Sequence, residues 1–330
     1  MLAGSADDLI VNRALLPAEY VARYGTDGPP SKPEEARAYT RQLARSHYEN
    51  FHVATFLLPR ELRQDFYNVY AFCRWADDLG DEIGDPERSL ELLNWWNGEL
   101  DAMYEGRTLH PVFVALAETV EKRQIPRQPF ADLIQAFMRD QRQTRYETLH
   151  DLLDYCRCSA NPVGRLVLYV CGYAGDERFA LSDFTCTALQ LTNFWQDVTR
   201  DFQIGRIYIP LEYMERYEYS PFHLEHDIKQ GRAGEKLRGL MRELVDHAED
   251  LFLKGLPLTG TVDRRLAFDL DLFSRGGMAI LHLIRRRDYD VLSERPALSK
   301  ARRLLLLAQA AKRQYFDTDH SEPMRRRSVA

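Results

Sequence analysis

Nowhere in the chain do apolar residues run on for the roughly 18 positions that a membrane-spanning helix needs. The longest candidate, "RRLLLLAQAAKR" (302–313), is too short and is bracketed by arginine and lysine, so it reads as a buried or interfacial helix able to rest on a bilayer surface. The start, "MLAGSADDLIVNRALLP", lacks the basic stretch and apolar core of a signal peptide, and none is expected. Five cysteines (Cys73, Cys156, Cys158, Cys171, Cys186) form no matched CxxC pairs. That excludes the usual disulfide and zinc patterns and fits a reducing, cytoplasmic setting. Positive charge is not in excess either: the net charge is −6, which argues against nucleic acid as a partner. The same sign gives no general attraction to anionic lipid. The nine histidines form no HExxH, which sets a His- or Cys-based helical hydrolase aside.

Alternating strand patterns are nearly absent too. What fills the 330 residues instead is helical periodicity, with apolar side chains recurring at three- and four-residue steps. "PEEARAYTRQLARSHYEN" (33–50), "PRELRQDFYNVYAFCRWADDLGDEI" (59–83) and "PERSLELLNWWNGELDAMYEG" (86–106) are of this kind. So are "PFADLIQAFMRDQRQTRY" (129–146), "LSDFTCTALQLTNFWQDVTRDF" (181–202) and "EKLRGLMRELVDHAEDLFLKG" (235–255). Prolines open several of them, as first-turn proline allows, and the Gly/Pro cluster before Ser31 reads as a loop leading to a helix cap. No repeat and no flexible linker divides the chain. The expected organisation is one all-α domain over 39–312, a leading segment and loop over 1–38, and a basic tail over 313–330 ending in "MRRRSVA".

Two segments resist a purely structural reading. In "YAFCRWADDLGDE" (70–82), Asp77, Asp78, Asp81 and Glu82 crowd together, with Asp77 and Asp81 on one helix face and Arg74 a turn upstream. An acidic i,i+4 pair is usually a solvated face. Here the flanks (Phe66, Tyr67, Val69, Tyr70, Phe72, Cys73, Trp75) leave little room for one. In "LQLTNFWQDVTRDFQIGRIYIP" (189–210), Asn193, Asp197 and Asp201 repeat at four-residue steps, with Gln190 a turn earlier. Leu189, Leu191, Phe194, Trp195, Val198 and Phe202 lie between them, which suggests a cavity lining. Two such stripes facing one another require a cation. Carboxylate and amide oxygens select Mg²⁺, which takes one or two carboxylates and completes its shell with substrate phosphate. Arg74, Arg165, Arg206 and Tyr208 stand near enough in sequence to grip a diphosphate. Apolar surroundings suit a hydrocarbon tail.

With these motifs the chain resembles the squalene/phytoene synthase family, head-to-head prenyl synthases of all-α isoprenoid-synthase fold built around a central hydrophobic cavity. The likeness spans about residues 40–310 and includes "HYENFHVATFLLP", "YCRCSANPVGRLVLYVCGY" and "YDVLSERPALSKARRLLLL". It implies Asp77, Asp78 and Asp81 as the first metal motif and Asn193, Asp197 and Asp201 as the second, with Mg²⁺ (or Mn²⁺ in its place) as cofactor. It implies His47 and Arg74 near the diphosphate, Tyr155 beside the reacting carbons, Arg206 and Tyr208 on a flap, and Arg295 as a phosphate-binding arginine.

Three departures narrow the resemblance. Glu49 stands where the family often has lysine, Gln196 where it commonly has arginine, and "SANPVG" replaces "VAGxVG". These are similar to the hydroxysqualene synthase branch of bacterial hopanoid pathways. That branch ionises presqualene diphosphate and captures the cation with water, without a nicotinamide, and Tyr155 is the residue expected to position the water. The alternatives are a squalene, dehydrosqualene or phytoene synthase condensing two prenyl diphosphates, and, in a different class, a non-catalytic assembly partner of another synthase. Peripheral membrane contact and association with other enzymes of the hopanoid/squalene route accompany the resemblance.

Overall fold

The proline-opened segments fold as helices in the computed structural model, which describes residues 14–46 and 59–316, with side chains through 313. Among these residues no strand occurs. The first half of the chain forms α1 (Pro17–Tyr24), α2 (Pro33–Ser46), α3 (Arg60–Asp81), α4 (Pro86–Tyr104), α5 (Pro111–Arg123) and α6 (Gln128–Asp140). Then come α7 (Leu149–Ser159), α8 (Asn161–Val170), α9 (Asp176–Gln196), α10 (Val198–Gln203), α11 (Leu211–Arg216) and α12 (Pro221–Gln230). The chain continues with α13 (Glu235–Gly255), a 3₁₀ turn (Leu256–Thr261), α14 (Arg264–Arg286) and α15 (Lys300–Phe316).

Local chemistry starts these helices. Asp85 accepts from the Glu87 and Arg88 N–H groups ahead of Pro86, Thr148 and Asp151 form a reciprocal capping box, and Asp263 caps α14. For α2 the cap falls one residue beyond Ser31: Ala36 N–H bonds the Lys32 carbonyl, and the Glu35 carboxylate reaches back to Lys32 N–H.

Two hydrophobic clusters hold the helices together. The first joins α1–α6 and α8 around Phe72, Trp75, Trp96, Phe113 and Phe130, with the Trp75 and Trp96 rings stacked at 4.8 Å. A buried polar knot locks it: Asn68 donates to the Ala115 carbonyl and Thr119 and accepts from Thr40 and Gln64. The second cluster packs α9 against α13 and α14 around Trp195, Leu240, Leu244, Phe252 and Leu281. Helix α6 touches both, with Phe130 and Leu133 in the first and Ala136 in the second.

Two expected helices end early, both for tertiary reasons. The segment expected to continue to Tyr146 stops at Asp140. Residues 144–147 instead lie beside 207–212, accepting from Ile207, Leu211 and Glu212 N–H at 2.9–3.0 Å. The helix expected over 181–202 bends at Asp197, where φ is −105° and ψ 16°. The bend falls on the residue whose carboxylate is held by Arg295. Of the apolar residues around the second motif, Leu191, Phe194, Trp195 and Val198 are buried in the second cluster, and Phe194 and Val198 also line a small cavity with Asp201, Arg206 and Tyr208. Phe66, Phe72 and Trp75 beside the first motif are buried in the first cluster.

Candidate functional site

Three helices end in acid at one place. Helix α3 terminates at Asp81, α6 at Asp140, and α9 at Gln196 with Asp197 as its cap. Gln141 Nε2 donates to the Gly80 carbonyl at 3.0 Å and so fastens the end of α6 to the end of α3. Arg206, just after α10, reaches Asp81 at 3.3 Å and thereby joins the segment after the second acidic motif to the first. A helix C-terminus already carries partial negative charge, so carboxylates there are disfavoured unless a cation offsets them.

The electrostatics follow that geometry. Asp77 is pushed up to about 6, first by burial and then by Asp81. Asp201 rises to about 7 through burial and Asp197, and Asp140 to about 6 through burial, against the Tyr155 hydrogen bond and Arg206. Asp78 is buried and paired with Arg74, whose guanidinium also lies 3.6 Å from Asp77. Asp197 is gripped through both oxygens by Arg295, at 2.6 and 2.8 Å, with Arg200 at 3.5 Å. Burial disfavours the Arg206 charge, but Tyr208, Asp140 and Asp81 outweigh it and hold the guanidinium firmly protonated.

An aromatic wall adjoins the acids. Tyr155 is buried and donates to Asp140 Oδ2 at 2.8 Å. Its ring neighbours Tyr146, Tyr208 and Phe194, and the last two stack at 3.7 Å. Burial and Asp140 keep the Tyr155 phenol protonated far above its ordinary range. π-Faces beside a site that develops positive charge are attractive to it.

Asp77, Asp81, Asp201, Arg206, Tyr208 and Tyr155 are therefore brought into one neighbourhood, as Asp197 and Arg295 are with one another. Asn193 is exposed and Gln190 half-buried on the α9 face that leads to Asp197. Arg165 is not brought there. Its guanidinium is bidentate with Asp183, fourteen residues before Asp197 on α9, or about 21 Å at helical rise. His47 and Glu49 lie outside the described residues.

Sequence reasoning did not single out Asp140, a lone carboxylate with no acidic partner at helical spacing. Its only signal was an acid closing an amphipathic helix. Nor did it find that Gln196 Nε2 donates to the Pro296 carbonyl, which lies beside the Arg295–Asp197 pair. These two adjacent contacts strap residues 295–296 across the second motif.

The fit to a divalent cation can be tested on the residues themselves. Among the described residues no three of His, Cys, Asp and Glu converge on one metal point. The carboxylate and amide oxygens of Asp77, Asp81, Asn193, Asp197 and Asp201 are hard donors of the kind Mg²⁺ takes one or two at a time, alongside water and phosphate. Asp140 Oδ1 and Arg74 Nε are buried with no hydrogen-bond partner among the described residues. They leave one acceptor and one donor in hand for such a ligand. The donor set fits.

Residues 44–302 match the family model described as squalene/phytoene synthase. The phytoene synthase of Thermus thermophilus is 32% identical over 283 residues, covering 86% of this chain and 94% of that one. The crystal structure of squalene synthase HpnC from Alicyclobacillus acidocaldarius is 46% identical, with TM-score 0.72, over 77% of this chain and 94% of that one. A dehydrosqualene synthase in complex with ligand superposes with TM-score 0.74 at 26% identity, over 84% and 96% of the two chains.

Proposed function

The chain belongs to the squalene/phytoene synthase family and is a prenyl-diphosphate-dependent enzyme, and from that premise we propose that it is a hydroxysqualene synthase. In this reading presqualene diphosphate loses diphosphate, and water captures the rearranged cation. The carbon–oxygen bond breaks with its electron pair leaving on diphosphate, a water oxygen forms the new bond, and one proton is released.

The observation that carries the reading is the meeting of acidic helix ends across the Arg206–Asp81 contact. Asp77, Asp78 and Asp81 on one side, and Asn193, Asp197 and Asp201 on the other, would hold Mg²⁺, or Mn²⁺ in its place. The ion would supply Lewis-acid stabilisation of the departing diphosphate. The chain's own part is distinct. Arg74, Arg206 and Arg295 present donors to phosphate oxygens. Tyr146, Tyr155, Tyr208 and Phe194 offer π-faces to the cation. The Asp140–Tyr155 hydrogen bond fixes the phenol that orients the attacking water.

The finer assignment is favoured by Gln196; the 46% identical HpnC structure is that of a squalene synthase and supports the family-level reading. At a position where arginine would add a phosphate-gripping charge, Gln196 is neutral and committed to the Pro296 carbonyl. One cation fewer suits one diphosphate rather than two. Condensation of two prenyl diphosphates to squalene, dehydrosqualene or phytoene is the second reading, supported by the phytoene synthases among the relatives. Cytoplasmic location and peripheral association with the lipid route that consumes the product belong to the same proposal.

Product analysis separates the readings. Incubation with Mg²⁺ and presqualene diphosphate in ¹⁸O-water should give an alcohol carrying the label, and farnesyl diphosphate alone should give nothing. Turnover of farnesyl diphosphate would overturn the hydroxysqualene assignment. Asp77→Asn and Asp197→Asn should each lower turnover by at least about a hundredfold with helicity retained. Unchanged turnover in either would remove the metal-site reading.

A further inference from the structure

One buried carboxylate belongs to no part of the site described above. Asp269, on α14, is 6% exposed, and its Oδ1 has no hydrogen-bond partner among the described residues. It lines a pocket of about 210 Å³ together with Pro59 and Leu62 at the start of α3, Cys171 just after α8, and Leu266 on α14. Leu62 stands nineteen residues before Asp81 on α3, about 28 Å at helical rise. The pocket is therefore out of reach of a diphosphate held at the acidic motifs.

A second acid, Asp263, lines the same pocket but is served differently. Its Oδ1 accepts from the Arg265 and Leu266 N–H groups at 2.9 and 3.2 Å, and its Oδ2 from the Tyr173 hydroxyl at 2.9 Å. Asp269 Oδ1 has no such donor: Arg265, one turn earlier on the same face, is exposed and does not reach it. Burial, with Asp263 adding to it, pushes the Asp269 carboxyl up to about 7. A carboxylate oxygen closed off from solvent without a donor is costly, and the pocket has room to admit one. Its walls say which kind. Pro59, Leu62 and Leu266 are apolar, the two acids make one end negative, and no third ligand completes a metal shell among the described residues. A prenyl chain would match the apolar walls but carries no donor for Oδ1. An ammonium group on a short hydrocarbon supplies both.

We propose that this pocket is a second ligand site, separate from the diphosphate site, which takes a small primary ammonium compound. The ammonium N–H groups donate to Asp269, and the hydrocarbon lies against Pro59, Leu62 and Leu266. A ligand there touches both α3 and α14, which belong to different hydrophobic clusters, and so braces one cluster against the other.

Calorimetric titration of the full-length protein with n-butylammonium chloride at pH 8 tests this without any prenyl substrate, so its outcome is independent of the product assignment. Binding should saturate at one site per chain. It should be at least about tenfold tighter than that of n-butanol, which has the chain without the charge. Asp269→Asn removes the charge and should weaken n-butylammonium binding at least about tenfold. Cys171→Leu, which fills the pocket and leaves Asp269 in place, should do the same. Equal affinity for the ammonium compound and the alcohol overturns the proposal and leaves only an apolar cleft. Undiminished binding in Asp269→Asn also overturns it, as does the absence of saturation up to about 50 mM ligand. If Asp269→Asn does not fold, Cys171→Leu decides alone, and undiminished binding in that variant overturns the proposal.

Discussion

Asp140→Asn should make the protein more stable at pH 8 and less active. The carboxylate closes α6 among Tyr155, Arg206 and Asp81, and burial raises its pKa from 3.8 to about 6. A raised folded-state value means that ionisation costs the native state more than the unfolded chain. The penalty is small below pH ~4 and grows as pH rises through about 6. At pH 8 two units correspond to about 3 kcal/mol. Asparagine removes that penalty and keeps an oxygen to accept from Tyr155, but its amide N–H group, placed where Oδ1 has no partner, returns about 1 kcal/mol. The net gain is about 2 kcal/mol. For 330 residues the unfolding entropy is roughly 0.7 kcal/mol per kelvin, so Tm should rise by about 3 °C at pH 8. At pH 5, where the wild-type carboxyl is already mostly protonated, the penalty falls to about 1.6 kcal/mol and the net gain should shrink to about 0.6 kcal/mol. Calorimetry of both proteins at the two pH values measures it, with turnover on presqualene diphosphate followed alongside. A variant that melts at or below wild type at pH 8 would refute the reasoning, by showing that Arg206 stabilises the carboxylate more than burial penalises it.

Four further variants test the scaffold. Asp65 is buried and accepts from Lys122 and Arg123 at 2.7–2.9 Å; Asp65→Ala strands the half-buried Arg123 and should cost about 3 kcal/mol in urea unfolding. Gly277→Ala would place a Cβ 2.2 Å from the Phe252 ring and should destabilise by about 1–3 kcal/mol. Gly276→Ala, which meets nothing within 4 Å, should be neutral or stabilising by up to about 1 kcal/mol. His110 caps α5 through Nδ1 from inside an aromatic cage of Tyr20, Trp75, Trp95, Trp96 and Phe113, and burial lowers its pKa from 6.5 to about 3. A depressed value contributes stability present above pH 6.5 and lost as pH falls toward 3. His110→Asn, which keeps a cap, should therefore flatten the decline between those values by up to about 1.4 kcal/mol per pH unit, and an unchanged slope would show that His110 does not titrate with unfolding.

Much of this molecule was legible residue by residue. A helix is closed by bonds between positions four apart, so the three- and four-residue apolar steps and the opening prolines specified the helices from their own neighbourhoods. The acidic stripes were legible for the same reason: Asp77 with Asp81, and Asn193 with Asp197 and Asp201, share faces by spacing alone. What depends on how one helix lies against another was not. Arg206 meets Asp81 across 125 positions, and Gln196 meets Pro296 across 100. Asp140 has no acidic neighbour at helical spacing and became part of the site only because Gln141 fastens α6 to α3. Arg165 looked equivalent to the other arginines until Asp183 took its charge. The aromatic flanks of the first motif proved to be core, while Phe194 of the second is packed in the core and also meets Tyr208 at the site. Local hydrogen bonds write themselves into the order of residues; the convergence of charges does not, because it is set by the packing of apolar faces that leaves those charges side by side.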